Sequence, residues 1–185
     1  RLQRRRRKEA PRCLGKGAWF SELFALSVSM KKIVSFKDLK CLSDYELWKS
    51  GWENKNEIDI FSYISYEIRP EDLLILGKLV FPDFILDRGA VILEMNYEAE
   101  KFNGWMARFE DDIQSVERFV NHTHIYDIFS GCSEDVEDEI FEQLAHMLSL
   151  SWRLILKEKF PDRDFSVLLS CSDQDYGPTI TFFQK

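Results

Sequence analysis

A chain of 185 residues that is 45% hydrophobic and 14% aromatic, with only 8 Gly and 5 Pro, holds enough apolar matter for one full core and is neither disordered nor collagen-like. Its formal net charge of −7 is unevenly spread: residues 1–29 carry eight Lys/Arg and two Glu, which leaves 17 bases against 30 acids over residues 30–185, a net of −13. A body this acidic repels phosphate backbones and steers towards a basic partner, and no run approaches the ~18 apolar residues that a membrane span needs.

Residues 1–29 differ in kind from the rest. Arg4 to Lys8 is a basic run, and Ala18 to Val28 is a short apolar stretch interrupted by Glu22. That order is the one found in secretory signals, but no small-x-small cleavage site of good quality follows. Met30-Lys31-Lys32 reads as a bacterial start. The expectation is therefore an extension over 1–29, dispensable for folding, and a single globular domain over 30–185.

Ser43-Asp44-Tyr45-Glu46 has the form of a capping box and predicts a short helix closed by Gly51. Residues 57–67 fit a helix or a strand. Pro70-Glu71-Asp72 opens a second helix, with Pro in the first turn and acids at the positive end of the dipole. From Leu73 to Val80 this helix is apolar on nearly every side, which predicts burial. Phe81-Pro82 ends it.

Phe84–Leu86 and Ala90–Met95 flank Asp87-Arg88-Gly89, a hairpin signal. Phe102, Trp105, Met106, Phe109, Ile113, Val116 and Val120 recur at steps of three and four, giving one or two helices with a break at Glu110–Asp112. Ile125–Phe129 reads as extended or loop. A long helix is predicted over about 134–159, capped by Ser133 and stopped by Pro161, with Val136, Ile140, Leu144, Met147, Leu148, Ser151, Trp152 and Ile155 as its apolar stripe. Arg163–Cys171 and Thr179–Phe183 then form a terminal hairpin around a turn-rich 172–178. The expected class is α+β, with antiparallel hairpins near 84–95 and 164–183 packed against helices.

Cys13, Cys41, Cys132 and Cys171 are far apart and form no CxxC, as in reduced cytoplasmic thiols. Asn121-His122-Thr123 matches the glycosylation acceptor pattern, which in a cytoplasmic chain is a coincidence. Phosphate-binding glycine loops, serine-hydrolase elbows and paired-cysteine zinc patterns are all missing from the sequence. His122 and His124 on one strand face would reach a single metal ion, with Asp127, Glu117 or Cys132 as third ligand. Histidines at a helix C-terminus are also favoured by the dipole alone. His146, beside the apolar stripe, reads as structural. Asp173-Gln174-Asp175 reads as a turn, because it lacks the Gly and distal Glu of a calcium loop.

The strongest charge cluster is Glu134, Asp135, Glu137, Asp138 and Glu139. It loads the start of the long helix and also offers a docking face to a basic protein. The expected function is a non-enzymatic acidic binding domain, in the manner of an inhibitor or immunity protein, without cofactor or metal. It would act on a basic protein rather than nucleic acid or membrane, as a monomer or homodimer. The alternatives are a metal-dependent enzyme at His122 and His124, and a structural homodimer subunit.

Overall fold

The computed structural model describes residues 32–36, 39–132, 136–172 and 176–185. Among them, three short helices come first: α1 (Ser43–Ser50), α2 (Ile60–Glu67) and α3 (Pro70–Val80). Leu42 precedes α1 and no side chain caps it, so Ser43 is a helical residue and the expected capping box is not formed. The box sits instead on α2. There Asp59 accepts from the Ser62 N–H at 2.9 Å, and the Ser62 hydroxyl accepts from the Asp59 N–H at 3.3 Å. That capping favours helix over strand from Ile60 to Glu67. Pro70 does open α3, and Arg69 reaches back to Asp72 at 2.8 Å.

The burial expected for α3 is not found: no residue of it is buried, and Leu74 and Ile75 are 77% and 70% exposed. The physical reason lies in its neighbours. Only Leu79 and Val80, at its C-terminal end, pack against the core, where the Trp152 indole N–H donates to the Leu79 carbonyl at 3.0 Å. The helices α1 and α2 pack on each other instead, through Tyr45, Trp48, Trp52, Tyr63 and Tyr66.

The body is α+β. Strands β1 (Phe84–Asp87) and β2 (Ala90–Leu93) form an antiparallel hairpin. Its two-residue turn has Arg88 at φ 45° and Gly89 at φ 88°, the left-handed pair that matches strand twist. Helices α4 (Ala99–Arg108) and α5 (Ile113–Val120) follow, separated by Glu110 and Asp111 at φ 54° and 60°. The apolar period from Phe102 thus belongs to two helices. Next come β3 (Thr123–His124) and a single helical turn, α6 (Ile125–Ile128), where an extended or loop segment was expected. The long helix α7 (Asp138–Lys159) begins about a turn later than predicted, and Ser133 lies outside the described residues. Strands β4 (Phe165–Ser170) and β5 (Thr179–Gln184) close the chain, and β5 lies between β3 and β4 in an antiparallel sheet.

Two clusters make the core. In the larger, Ala145, Leu148, Trp152 and Leu156 of α7 pack on Val167, Ile180 and Phe182 of the sheet and on Val91 and Leu93 of β2. In the smaller, Ala90 and Ile92, on the opposite face of β2, pack on Phe102, Met106 and Val116. Strand β2 is therefore buried on both faces, and each buried Leu, Ile or Phe stabilises by about 1.5–3 kcal/mol.

A buried polar latch joins the two sheets. Glu117 and Asn121, four residues apart on α5, are both fully buried and point between β2 and β5. Glu117 accepts from the Val91 N–H at 2.7 Å and the Gln184 N–H at 2.6 Å. Asn121 accepts from the Leu93 N–H at 2.9 Å and donates to the Val91 and Phe182 carbonyls at 2.9 and 3.2 Å. These two side chains satisfy strand-edge groups that would otherwise be buried without partners. Burial pushes the Glu117 carboxyl above its ordinary range, against the lowering effect of the Gln184 and Val91 N–H donors. Asn121 is thus a structural amide and offers no surface for a glycan.

Candidate protein-binding site

The acidic cluster predicted at the start of the long helix divides into two groups. Glu134 and Asp135 lie outside the described residues, while Glu137, Asp138 and Glu139 are described. Glu137 and Glu139 hold the segment that precedes α1. Glu137 hydrogen-bonds the Cys41 thiol and thereby pushes its pKa up, and Glu139 pairs with Lys40 at 3.6 Å. The Gln143 amide clamps the same segment, accepting from the Lys40 N–H at 2.8 Å and donating to the Lys40 carbonyl at 3.1 Å. Two of the predicted docking residues therefore have an internal duty.

Asp138 points the other way. It accepts from the Tyr126 hydroxyl at 2.6 Å, which pushes the phenol pKa up to about 12. Glu142, one turn further along α7, shares its face. Together with Tyr126, Tyr176, Gly177 and Pro178 these carboxylates line a groove of about 370 Å³. The Tyr126 ring is held edge-on by Phe141, with centroids 4.7 Å apart, and by Tyr176 at 5.4 Å. His124 anchors the far wall through a bond of 3.1 Å between Nδ1 and the Tyr176 carbonyl oxygen.

Glycine is required at 177 for this close approach. Its φ of 73° is left-handed, and a Cβ there would lie 2.5 Å from the Tyr126 ring. Carboxylates beside tyrosine rings are suited to an arginine or lysine side chain, by ion pairing and by attraction to the ring faces. Sequence reasoning missed Tyr126, Glu142 and Tyr176. The spacing of Asp138 and Glu142 is a readable signal, whereas β3 and β5 bring the tyrosines there from distant positions.

The histidine pair is placed differently from the expectation. His122 precedes the strand, and its ring meets that of His124 edge-on, with centroids 4.9 Å apart. Of the suggested third ligands, Glu117 is engaged in the buried latch, and Asp127 and Cys132 are exposed. Among the described residues no group of three or more His, Cys, Asp and Glu is placed to hold a metal ion. His122 instead borders an open groove of about 880 Å³ with Phe109, Arg118, Phe119, Leu168 and Thr181. The Thr181 hydroxyl there donates to the Arg118 carbonyl at 2.9 Å. His146 is half-buried on α7. Asp173, Gln174 and Asp175 lie outside the described residues. Among the described residues no helix is long and apolar enough to cross a membrane.

No family model matches the chain, and comparisons with curated proteins and with solved structures found no similar one.

Proposed function

We propose that this protein is a non-enzymatic binding module that docks a basic protein at the acidic end of α7, in the manner of an inhibitor or immunity protein. The observation that carries the reading is the groove in which Asp138 and Glu142 stand beside the rings of Tyr126 and Tyr176. Charge in the rest of the chain supports it: residues 30–185 carry 17 bases against 30 acids, so a cationic partner gains association rate from long-range attraction. Screening over ~8 Å at physiological salt makes that gain salt-dependent.

The groove is tested with an arginine-rich peptide titrated into the protein while the Tyr126 and Tyr176 ring signals are followed by NMR. Both rings should shift, with an affinity that falls as salt rises and falls further in Glu142→Lys. Asp138→Asn should bring the Tyr126 phenol from about 12 back towards its ordinary value of 10.0, read from the ultraviolet titration. Peptide binding that moves neither ring, or that Glu142→Lys leaves unchanged, defeats the reading. So does tight binding of duplex DNA.

A further inference from the structure

We infer that the exposed face of α3 is a two-fold interface between two copies of this chain, packed as antiparallel α3 helices. With about 3.6 residues per turn, Glu71, Leu74, Ile75 and Lys78 fall on one side of the helix, turned away from Val80. The apolar pair at the centre of that face is 77% and 70% exposed. An isolated exposed leucine is ordinary on a protein surface. Leu74 and Ile75 are exposed side by side between the two charged residues of this face, and Leu73 and Leu76, also exposed, flank them around the helix.

The charge pattern decides the occupant. Residues 71 and 78 are symmetric about the midpoint between Leu74 and Ile75. A two-fold axis through that midpoint lays Leu74 and Ile75 of one copy on Ile75 and Leu74 of the other. It also sets each Glu71 opposite the other copy's Lys78, twice over. Glu71 already pairs with Arg69 at 2.9 Å and Lys78 with Asp83 at 2.5 Å. The pairing therefore extends two local ion pairs into a row that alternates in sign from Arg69 through Glu71 and Lys78 to Asp83. An isologous contact requires this kind of self-complementarity, and the face has it despite a net charge of −7 on the whole chain.

The size also fits. An 11-residue helix is about 16 Å long, and its flank continues into a groove lined by Ile75, Leu79, Pro82 and Met95. That footprint, one short helix and its flank, lies at the small end of specific interfaces. The surface is separate from the acidic groove of α7, and the inference does not depend on the partner proposed there.

The test is sedimentation of the full chain from about 1 to about 200 µM. A monomer–dimer equilibrium is expected. Leu74→Glu should raise its dissociation constant roughly thirtyfold or more, as for a central contact residue. Leu47→Glu, at an exposed apolar position on α1, should leave it unchanged. Glu71→Lys should weaken the dimer, and Glu71→Lys with Lys78→Glu should restore it, because the reversed pair is complementary again. Unfolding midpoints of all variants, compared with that of the parent, separate lost association from lost folding. A monomer throughout overturns the inference and leaves the face to a different partner protein. A dimer that survives Leu74→Glu overturns it as well, and failure of the double charge reversal to restore association overturns the antiparallel register.

Discussion

Helices α1 to α3 and the sheet-bearing remainder are both rich in apolar side chains, yet they use them in opposite ways. The first three helices contain no buried residue. In the remainder, β2 is buried at all four positions and α7 buries Ala145, Leu148, Trp152 and Leu156. The difference is one of coverage. A strand enclosed by α4 and α5 on one face and α7 on the other has nowhere to expose a side chain, whereas a helix resting on a single neighbour exposes most of its circumference. Apolar content sets how much surface a segment is able to bury, and the surrounding elements set how much it does.

The sharpest way to break this comparison is to empty the core and compare it with α1. Trp152→Ala should cost about 3–5 kcal/mol, since it removes a fully buried indole and orphans the Leu79 carbonyl. Leu47→Ala in α1, where the side chain is 73% exposed, should stay within about 0.5 kcal/mol. Urea unfolding midpoints of the two variants, measured side by side, check the contrast. Equal losses would show that α1 is part of the cooperative core.

The latch between the sheets comes next in size. Glu117→Ala should cost about 3 kcal/mol, because the Val91 and Gln184 N–H groups lose their buried acceptor. Glu117→Gln should cost about 1–3 kcal/mol, because an amide N–H₂ then faces one of those donors. The pH dependence has a definite sign. A carboxyl pushed up on folding binds its proton more tightly in the native state, so the native state is favoured as pH falls. Stability of the parent relative to the non-titrating Glu117→Gln should therefore rise as pH drops from the raised native value towards 4.5, the ordinary value. A gap that shrinks on acidification would contradict the burial argument.

Gly177→Ala should cost about 1–3 kcal/mol, from the left-handed backbone together with the clash against Tyr126. Its near-ultraviolet circular dichroism should change in the tyrosine region, as the ring is displaced. The smallest effect expected is that of Gln143→Ala, which removes the amide clamp on Lys40 at less than about 1 kcal/mol. Hydrogen exchange should quicken over α1 and α2 and stay slow in β5. A uniform change across these elements would mean that α1 and α2 open together with the sheet.

Much of the architecture is legible in the sequence because it is locally encoded. Pro70 with Glu71 and Asp72 fixes the start of α3, and Arg88-Gly89 fixes the tight turn of the first hairpin. The long apolar stripe before Pro161 specifies α7. Each of these signals depends on the backbone preferences or periodicity of a few consecutive residues. The candidate site was legible only in part. Asp138 belongs to a charge cluster that stands out in the sequence, but Tyr126 and Tyr176 reach it only through β3 and β5.

The sequence by itself determined the α+β class, the two hairpins and the acidic excess, because propensity, turn chemistry and charge are properties of neighbouring residues. Tertiary structure alone decided which apolar segments are covered and which polar groups are spent inside. It left α3 open to solvent although its residues suit a core, because burial depends on what lies alongside. It turned Glu117 and Asn121 from surface-type residues into a buried latch, because two strand edges meet at α5 and their N–H and C=O groups require partners. It also divided one run of acids, with Glu137 and Glu139 facing the Lys40–Cys41 segment and Asp138 facing Tyr126, because successive positions on a helix point in different directions.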